Sequence, residues 1–464
     1  MSVVLALANL VAVAFFIYGL HQLNSPPTAR TGNRLAMLGM AIALVSSLLQ
    51  TQGIGWWAIL IGVVLGGAIG IVAAFRVKMT AMPQMVALYN GAGGGAAALI
   101  STLEFFLLAN GNGENAVVSV SLVLSAIIGC LSFAGSIIAF LKLQELMTGR
   151  PITYPGQQVV NGAILIAILG LGGWFVATLG TMPILAFMGL LLCALILGVL
   201  FVLPIGGADM PVVISLLNSF TGLAVAVTGI EINSTLLIIC GALVGASGTL
   251  LTVMMGKAMN RPLTNVLFGA FGSGGGSEPE GAGSGGPQQV RSASADDVAV
   301  MLAYAGKVIF VPGYGMAVAQ AQHAVKALAD QLEKRGVKTL YAIHPVAGRM
   351  PGHMNVLLAE SNVPYEQLLD MDDANPEFTT TDVALVIGAN DVTNPAARNV
   401  KSSPIYGMPI LDVDKAANVI VLKRSMRSGF AGIENPLYEM PNTSMLFGDA
   451  KASVDALTAA VKAL

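Results

Sequence analysis

The sequence predicts two folds in one chain: a polytopic α-helical membrane bundle of about nine spans over residues 1–262, and an α/β doubly wound, Rossmann-like domain over residues 291–464. Three observations predict this. Hydrophobic residues make up 55% of the 464 and charged residues only 10%, with a mean hydropathy of +0.76; a soluble domain carries about 25% charged residues. The charges are unevenly placed, with 8 Lys/Arg and 5 Asp/Glu through Pro262 but 15 and 20 after it. The later part alternates short apolar runs with amphipathic ones, and residues 263–290 between the two parts form a Gly/Ser-rich linker.

This composition excludes a soluble enzyme, a disordered chain and, with a net charge of −2, a nucleic-acid binder. Cys130, Cys193 and Cys240 all lie in apolar runs and read as small buried residues, with no disulfide framework and no metal site.

A span needs about 20 mostly apolar residues. The segments that qualify are 2–20, 35–51, 54–75, 82–109, 116–141, 159–178, 184–204, 211–230 and 234–256. The first is expected to remain as a span, because no basic residue precedes it. The cations Arg30, Arg34, Arg76, Lys78, Lys142, Arg150, Lys257 and Arg261 fall in alternate connections. The positive-inside rule then sets the N-terminus outside and the C-terminal domain in the cytoplasm. Runs such as Gly91–Ala98 and Gly241–Gly248 predict close helix packing.

Few polar residues lie inside the spans. Asn90 and Asn218 sit about 10–12 Å from the cytoplasmic ends of segments four and eight. They read either as glue between helices or as two amides that share a water chain. Glu104 falls nearer the outer side, and Asp209, just before Met210-Pro211, reads as a helix cap. His21 is interfacial, and no span carries a histidine, so a proton relay made only of this chain's side chains is incomplete.

In the soluble part, strands are expected at 307–312, 338–343, 383–388, 409–413 and 418–423, and amphipathic helices at 316–335 and 449–464. The first strand runs into Gly313, Tyr314, Gly315 and, where a third glycine is usual, Val318. Strand, glycine turn and helix are the dinucleotide-binding arrangement. The second strand ends at His344 rather than in an acid, so no carboxylate waits for a ribose 2′-hydroxyl. Lys423, Arg424 and Ser425 follow the last strand as either a solvated end or a seat for a 2′-phosphate; together these features favour NADP over NAD. The loops 344–355 and 388–395 fall on the ligand side of such a sheet. His344 and His353 fit structure and chemistry equally, and the acidic stretch 365–373 reads as a surface loop.

The stretches Gly206–Pro211, Pro312–Gln322, His344–Glu360, Gly388–Asp391, Lys423–Ser425 and Phe447–Lys451 resemble the β subunit of the proton-translocating NAD(P) transhydrogenases, and the resemblance covers essentially the whole chain. It implies a translocase of a bacterial inner membrane, with a periplasmic N-terminus, that passes hydride from NADH to NADP⁺ as protons enter the cytoplasm. NADP(H) would bind this chain, and NAD(H) a partner α subunit of one or two chains, in a dimer of αβ units among membrane lipid. The implied NADP(H) site is Gly313, Tyr314, Gly315 and Val318; Val346, Ala347, Gly348, Arg349, Met350, Pro351 and Gly352; Gly388, Ala389, Asn390, Asp391 and Val392; Gly407 and Met408; Lys423, Arg424, Ser425, Met426, Arg427, Ser428, Gly429 and Phe430; and Asp449 with Ala450. The implied coupling residues are Asp391, Asp209, Asn218 and Asn90, and none is an acid or base for the hydride step. Some members carry a histidine where this chain has Asn90, so the proton-binding group comes from the partner's helices or from water held by Asn90 and Asn218. The competing class is a transporter or channel with a tethered NADPH-sensing domain. A quinone-linked dehydrogenase would need flavin or iron–sulfur signatures, which are absent.

Overall fold

The computed structural model describes residues 2–23, 25–50, 55–77, 81–109, 116–144, 146–148, 151–179, 182–206, 209–258, 290–348, 352–401, 403, 405–427, 429 and 433–464. It divides into two compact units, one running to Leu251 and one made of most of the chain from Thr252 onward.

Among the described residues, nine helices are long and apolar enough to cross a membrane, eight within the first unit and the ninth beginning in it and ending at Ala258. They are α1 (Ser2–Leu23), α2 (Pro26–Gln50), α3 (Gly55–Arg76), α4 (Met82–Ala109), α5 (Ala116–Leu143), α6 (Gln157–Ala177), α7 (Ile184–Val202), α8 (Met210–Glu231) and α9 (Thr235–Ala258). All nine match the expected spans, with one difference: α2 begins nine residues early, at Pro26 against the expected 35. Proline is suited to a first helical turn. Arg30 and Arg34 therefore lie inside the helix rather than in a connection.

Helix α5 is the centre of the bundle, in contact with α4, α6, α7 and α8. Lipid gives helices no hydrophobic reason to associate, so close backbone approach and polar bonds hold them together. A Cβ on Gly198 of α7 would lie 2.5 Å from the Leu131 carbonyl of α5, and one on Gly229 of α8 would lie 2.6 Å from the Ile238 nitrogen of α9. Phe105 and Phe187 stack face to face with centroids 4.0 Å apart, beside Phe175. Helix α3 has no buried residue, and its Gly62, Gly66, Gly67 and Gly70 have open space around them.

The second unit is a six-stranded sheet, all parallel, in the order β3-β2-β1-β4-β5-β6. The strands are β1 (Lys307–Pro312), β2 (Lys338–Ile343), β3 (Leu368–Asp370), β4 (Val383–Ile387), β5 (Asn418–Lys423) and β6 (Thr443–Phe447). Both faces are covered, so the inner strands read as unbroken apolar runs. Ile309, Val311, Ala384, Val386, Val419 and Val421 pack on one face with Ala374, Phe378, Leu411 and Tyr438. Helices α10 (Ala295–Ala303), α12 (Gln322–Lys334) and α16 (Ala450–Ala463) pack together, α12 and α16 also meet the sheet, and α15 is the single turn Ala396–Asn399 after β4.

Four local expectations are corrected. Residues 409–413 are no strand: they lead into a 3₁₀ turn, Val413–Lys415, and pair with no strand. Two strands were not expected, β3 and β6; β3 is three residues of an acidic stretch, too short to show a period of two. That stretch, expected as a surface loop, holds a turn at Tyr365–Gln367, then β3, then the start of helix α14 (Met371–Phe378). The single helix expected over 316–335 is two: α11 (Tyr314–Val318) and α12, separated at Gln320 with φ +51°. The helix expected over 449–464 is present as α16, with Asp449 as its cap.

Candidate functional site

Parallel strands put every strand C-terminus on one edge, and the strand order reverses between β1 and β4. Ligands of such sheets bind at that switch point. Gly313 and Gly315 lie there, after β1. Their amides donate to the carbonyls of Ile387 and Gly388, each at 2.9 Å, so the glycine turn is fastened to the loop after β4. The fit is reciprocal: a Cβ on Gly313 would come within 2.5 Å of the Ala389 nitrogen, and one on Gly388, at φ +67°, within 2.5 Å of the Met316 nitrogen. Only glycine permits this approach of two backbones. Val318, in the third glycine's place, is partly exposed at the end of α11, which lasts five residues.

The β4 loop is held from behind. Asn390 Oδ1 accepts from Asn435 Nδ2 at 3.0 Å and from the Tyr438 hydroxyl at 2.7 Å. Its Nδ2 is buried and makes no hydrogen bond among the described residues. Asp391 opens a short 3₁₀ turn to Thr393, and Val392 accepts from the Leu411 amide at 2.9 Å. Gly429 lies over this loop, since a Cβ there would sit 2.7 Å from Asp391 Oδ1. The loop after β5 is thereby brought onto the loop after β4.

At the end of β5, Lys423 Nζ lies 3.4 Å from the Tyr438 hydroxyl and 4.6 Å from its ring centroid. Burial lowers the Lys423 pKa, and the charge of Asp391 opposes that shift. Burial also pushes the Tyr438 hydroxyl up, so it stays a neutral donor. Arg424, more exposed, pairs with Asp449 at 2.8 Å, and that bond holds the Asp449 carboxyl below its usual range. Asp449 also accepts from the Lys451 and Ala452 amides at the start of α16, just before Ala450. Ser425 and Met426 follow as a half-buried bend, with Met426 against the sheet core and Arg427 exposed.

After β2, His344 is buried. Its Nε2 donates to the Pro409 carbonyl at 2.8 Å and its Nδ1 accepts from the Val346 amide at 3.2 Å. Burial pulls its pKa down to about 4, against the opposing bond to Pro409. Its role is structural, tying the β2 loop to the segment that carries Gly407 and Met408. Ala347 is buried, and Gly348 and Gly352 take φ of +104° and +68° on either side of residues 349–351. His353, the first residue of helix α13 (His353–Glu360), lies beside Tyr314, ring centroids 6.5 Å apart. Arg349, Met350, Pro351, Ser428 and Phe430 lie outside the described residues. The rest of the expected nucleotide residues sit on the loops at this edge, or, for Gly407 and Met408, on the segment tied to it.

In the bundle, Asn90 Nδ2 donates to Ser136 Oγ at 2.9 Å and to Ser132 Oγ at 3.4 Å, both on α5. Ser132 in turn meets Thr221 of α8 at 2.5 Å. Asn218, half-buried, makes no hydrogen bond to a described residue, so the two amides are not linked directly. Asp209 stands at the N-cap of α8, yet its side chain makes no cap hydrogen bond, which corrects its expected capping role. Sequence reasoning passed over Glu231, one residue beyond the expected span 211–230. It is buried and accepts from Ser101 at 2.9 Å. The sequence carries little signal for it, because an acid just past an apolar run reads as interfacial.

A family model described as NAD(P) transhydrogenase beta subunit matches residues 5–460. Two curated sequences of Rhodospirillum rubrum, one from a named strain, each called NAD(P) transhydrogenase subunit beta, are 50% identical over 461 residues, covering 98% of this chain and 98% of their own lengths. With its bundle of apolar helices and its parallel sheet of Rossmann order, the chain belongs to the NAD(P) transhydrogenase β subunit family.

Proposed function

We propose that this chain binds NADP(H) at the C-terminal edge of its sheet. It would take part in hydride transfer from NADH, held by an α subunit, coupled to proton passage through its bundle. The observation that carries the nucleotide assignment is the pair Lys423 and Arg424 at the end of β5, with no carboxylate at the end of β2. A point charge beside a planar fork suits a phosphate dianion. Asp449, the present partner of Arg424, is exposed, so a phosphate can take over that fork without uncovering a buried charge.

The rest of the edge fits the same ligand. The buried Nδ2 of Asn390 makes no bond among the described residues and is available as a donor. Gly313, Gly315 and Gly388 keep the switch point low, so that a pyrophosphate can approach the backbone. Lys423 at β5 lies two strands from β1, so the 2′-phosphate end would lie over β5, opposite the usual side over β2. The bound nicotinamide supplies the ring that accepts hydride. The residues of this chain need no acid or base for that step; they orient the nucleotide and cover it with the loop that carries Gly429.

The two nicotinamide cofactors differ by a phosphate remote from the ring, so hydride exchange between them is nearly thermoneutral. One charge crossing 100 mV contributes about 2.3 kcal/mol, enough to drive NADP⁺ reduction more than tenfold. The bundle is read as spanning a bacterial inner membrane with its N-terminus in the periplasm. Arg76, Lys142 and Lys257 end α3, α5 and α9, and Arg30 and Arg34 lie in the first turns of α2, one side for alternating spans. Asp209, Asn218 and Asn90 are assigned to the proton path, and Asp391, whose charge reaches Lys423, to the link with the nucleotide. The functional unit is a dimer of αβ pairs.

Titrating a fragment of residues 291–464 with NADPH and NADH tests the assignment. NADPH should bind and NADH should not; equal affinity removes the 2′-phosphate seat and returns the Lys423 strand end to ordinary solvated surface.

A further inference from the structure

Beyond the Gln84 amide, which donates to the Leu143 carbonyl at 3.1 Å, polar side chains inside the bundle form three lateral links between α4, α5 and α8. Nearest the Asp209 end are Asn90, Ser136, Ser132 and Thr221, with Ser132 also donating to the Leu217 carbonyl at 2.9 Å. Farther along, Ser125 Oγ and Thr228 Oγ1 are 2.5 Å apart. At the far end Ser101 of α4 donates to Glu231 Oε2 at 2.9 Å. From Thr221 to Thr228 is about 10 Å along α8, and from Thr228 to Glu231 about 4.5 Å. The links lie on one stripe of α8, at helical spacings of seven and three.

Glu231 is the one buried carboxylate among the described residues of the bundle. It ends α8, where the helix dipole does not favour an anion. Its Oε1 is buried with no hydrogen-bond partner among the described residues, and no cation there pairs with it. The other titratable groups on the packed helices are Tyr89 and Glu104 on α4, Cys130 and Lys142 on α5, and Cys240 and Lys257 on α9. Glu104 lies three residues beyond Ser101, the residue that donates to Glu231. Structural glue would need only a neutral hydroxyl or amide here, as the other two links show. An ionisable group inside a membrane bundle marks an ion route.

We propose that Glu231 is the proton-binding carboxyl at the outer mouth of this polar lane, taking protons from the outer side and passing them by way of Ser101 towards Thr228. The carboxylate takes up a proton from hydronium of the outer aqueous phase, leaving water, and returns to the anion on releasing that proton inward. This rests on the coupled function proposed above. Between the Thr228 and Thr221 levels α4 and α5 pack backbone to backbone: a Cβ on Gly94 would lie 3.0 Å from the Gly129 carbonyl. That interval is too long for one hydrogen bond, and it separates the outer group from the Asn90 cluster.

The test uses the complete αβ complex in membrane vesicles, with Glu231→Gln, Glu231→Asp and Ser101→Ala. Three rates are read: net NADP⁺ reduction by NADH, proton movement by a pH-sensitive dye, and hydride exchange from NADH to an NAD⁺ analogue while NADP(H) stays bound. Glu231→Gln should lower the first two about tenfold or more. Exchange and complex level should hold within about twofold. Glu231→Asp should restore net turnover with an altered pH profile, and Ser101→Ala should fall between. Glu231→Gln with all three rates intact overturns the inference, as does a parallel fall in all rates and in complex level. Wild-type net turnover without proton movement would instead remove the coupled function on which the inference rests.

Discussion

The two units solve opposite problems with the same polar atoms. In the bundle, polar side chains are scarce and spent sideways, one helix to the next: Asn90 to Ser136, Ser125 to Thr228, Ser101 to Glu231. In the α/β unit the strands are apolar, and polar groups collect at one edge, where Asn390, Tyr438 and Lys423 lie in a row. The difference follows from the surroundings. Lipid offers no partner to a polar group, so each link in the bundle must be closed locally. The sheet edge faces water and can leave groups such as Arg424 for a ligand.

The largest effect should come from the open edge. Lys423→Ala with Arg424→Ala removes two charge-assisted contacts at about 1.5–3 kcal/mol each, so NADPH affinity should fall at least a hundredfold. The melting temperature of the fragment should barely move. A comparable loss of NADH binding would show that the pair does not read a 2′-phosphate.

Next in size is the pH response of His344. Its folded pKa, about 4, lies below the ordinary 6.5. The neutral form is the one that folds, so its contribution is full above about pH 6.5 and is lost as pH falls towards 4. At about 1.4 kcal/mol per unit, the fragment should lose up to about 3 kcal/mol across that window. His344→Gln should flatten this part of the stability–pH curve, as measured by denaturant melts. An unchanged slope would mean that the buried imidazole is not the group responsible.

Smaller again is a packing contrast within the bundle. Gly229→Ala places a methyl 2.6 Å from the Ile238 nitrogen and should cost about 1–3 kcal/mol. Gly66→Ala on α3, with nothing within 4 Å, should be silent in this chain. Thermal stability in detergent separates the two. The smallest effect is expected from Asp449→Asn, which releases an exposed Arg424 and should change NADPH affinity by only a fewfold.

Much of this was legible in the sequence, for physical reasons that also mark where it was not. Long apolar runs allow few alternatives, and every span came within a few residues except α2, whose polar first turns around Arg30 hide the helix. The inner strands β1, β2, β4 and β5 were legible because burial on both faces leaves apolar runs. Edge strand β3 was not, being three residues long, and 409–413 resembled a strand because Ile410 and Leu411 are buried in a connection. The glycines and the Lys423–Ser425 run were legible as a site. Their mutual fastening was not, because contacts such as Gly313 to Ile387 depend on which strands are neighbours. Glu231 was missed because an acid just past a span looks interfacial, and only packing shows it covered by α4.

On the proposed function, proton passage belongs to the bundle and hydride chemistry to the α/β unit. Asn218→Leu tests this division, since it replaces a half-buried amide, unbonded among the described residues, with an apolar group of similar size. In one vesicle preparation of the αβ complex, net NADP⁺ reduction and hydride exchange with bound NADP(H) are measured side by side. Net turnover should fall about tenfold or more while exchange and protein level stay near wild type. Both activities falling together with protein level, or neither falling at all, would contradict it.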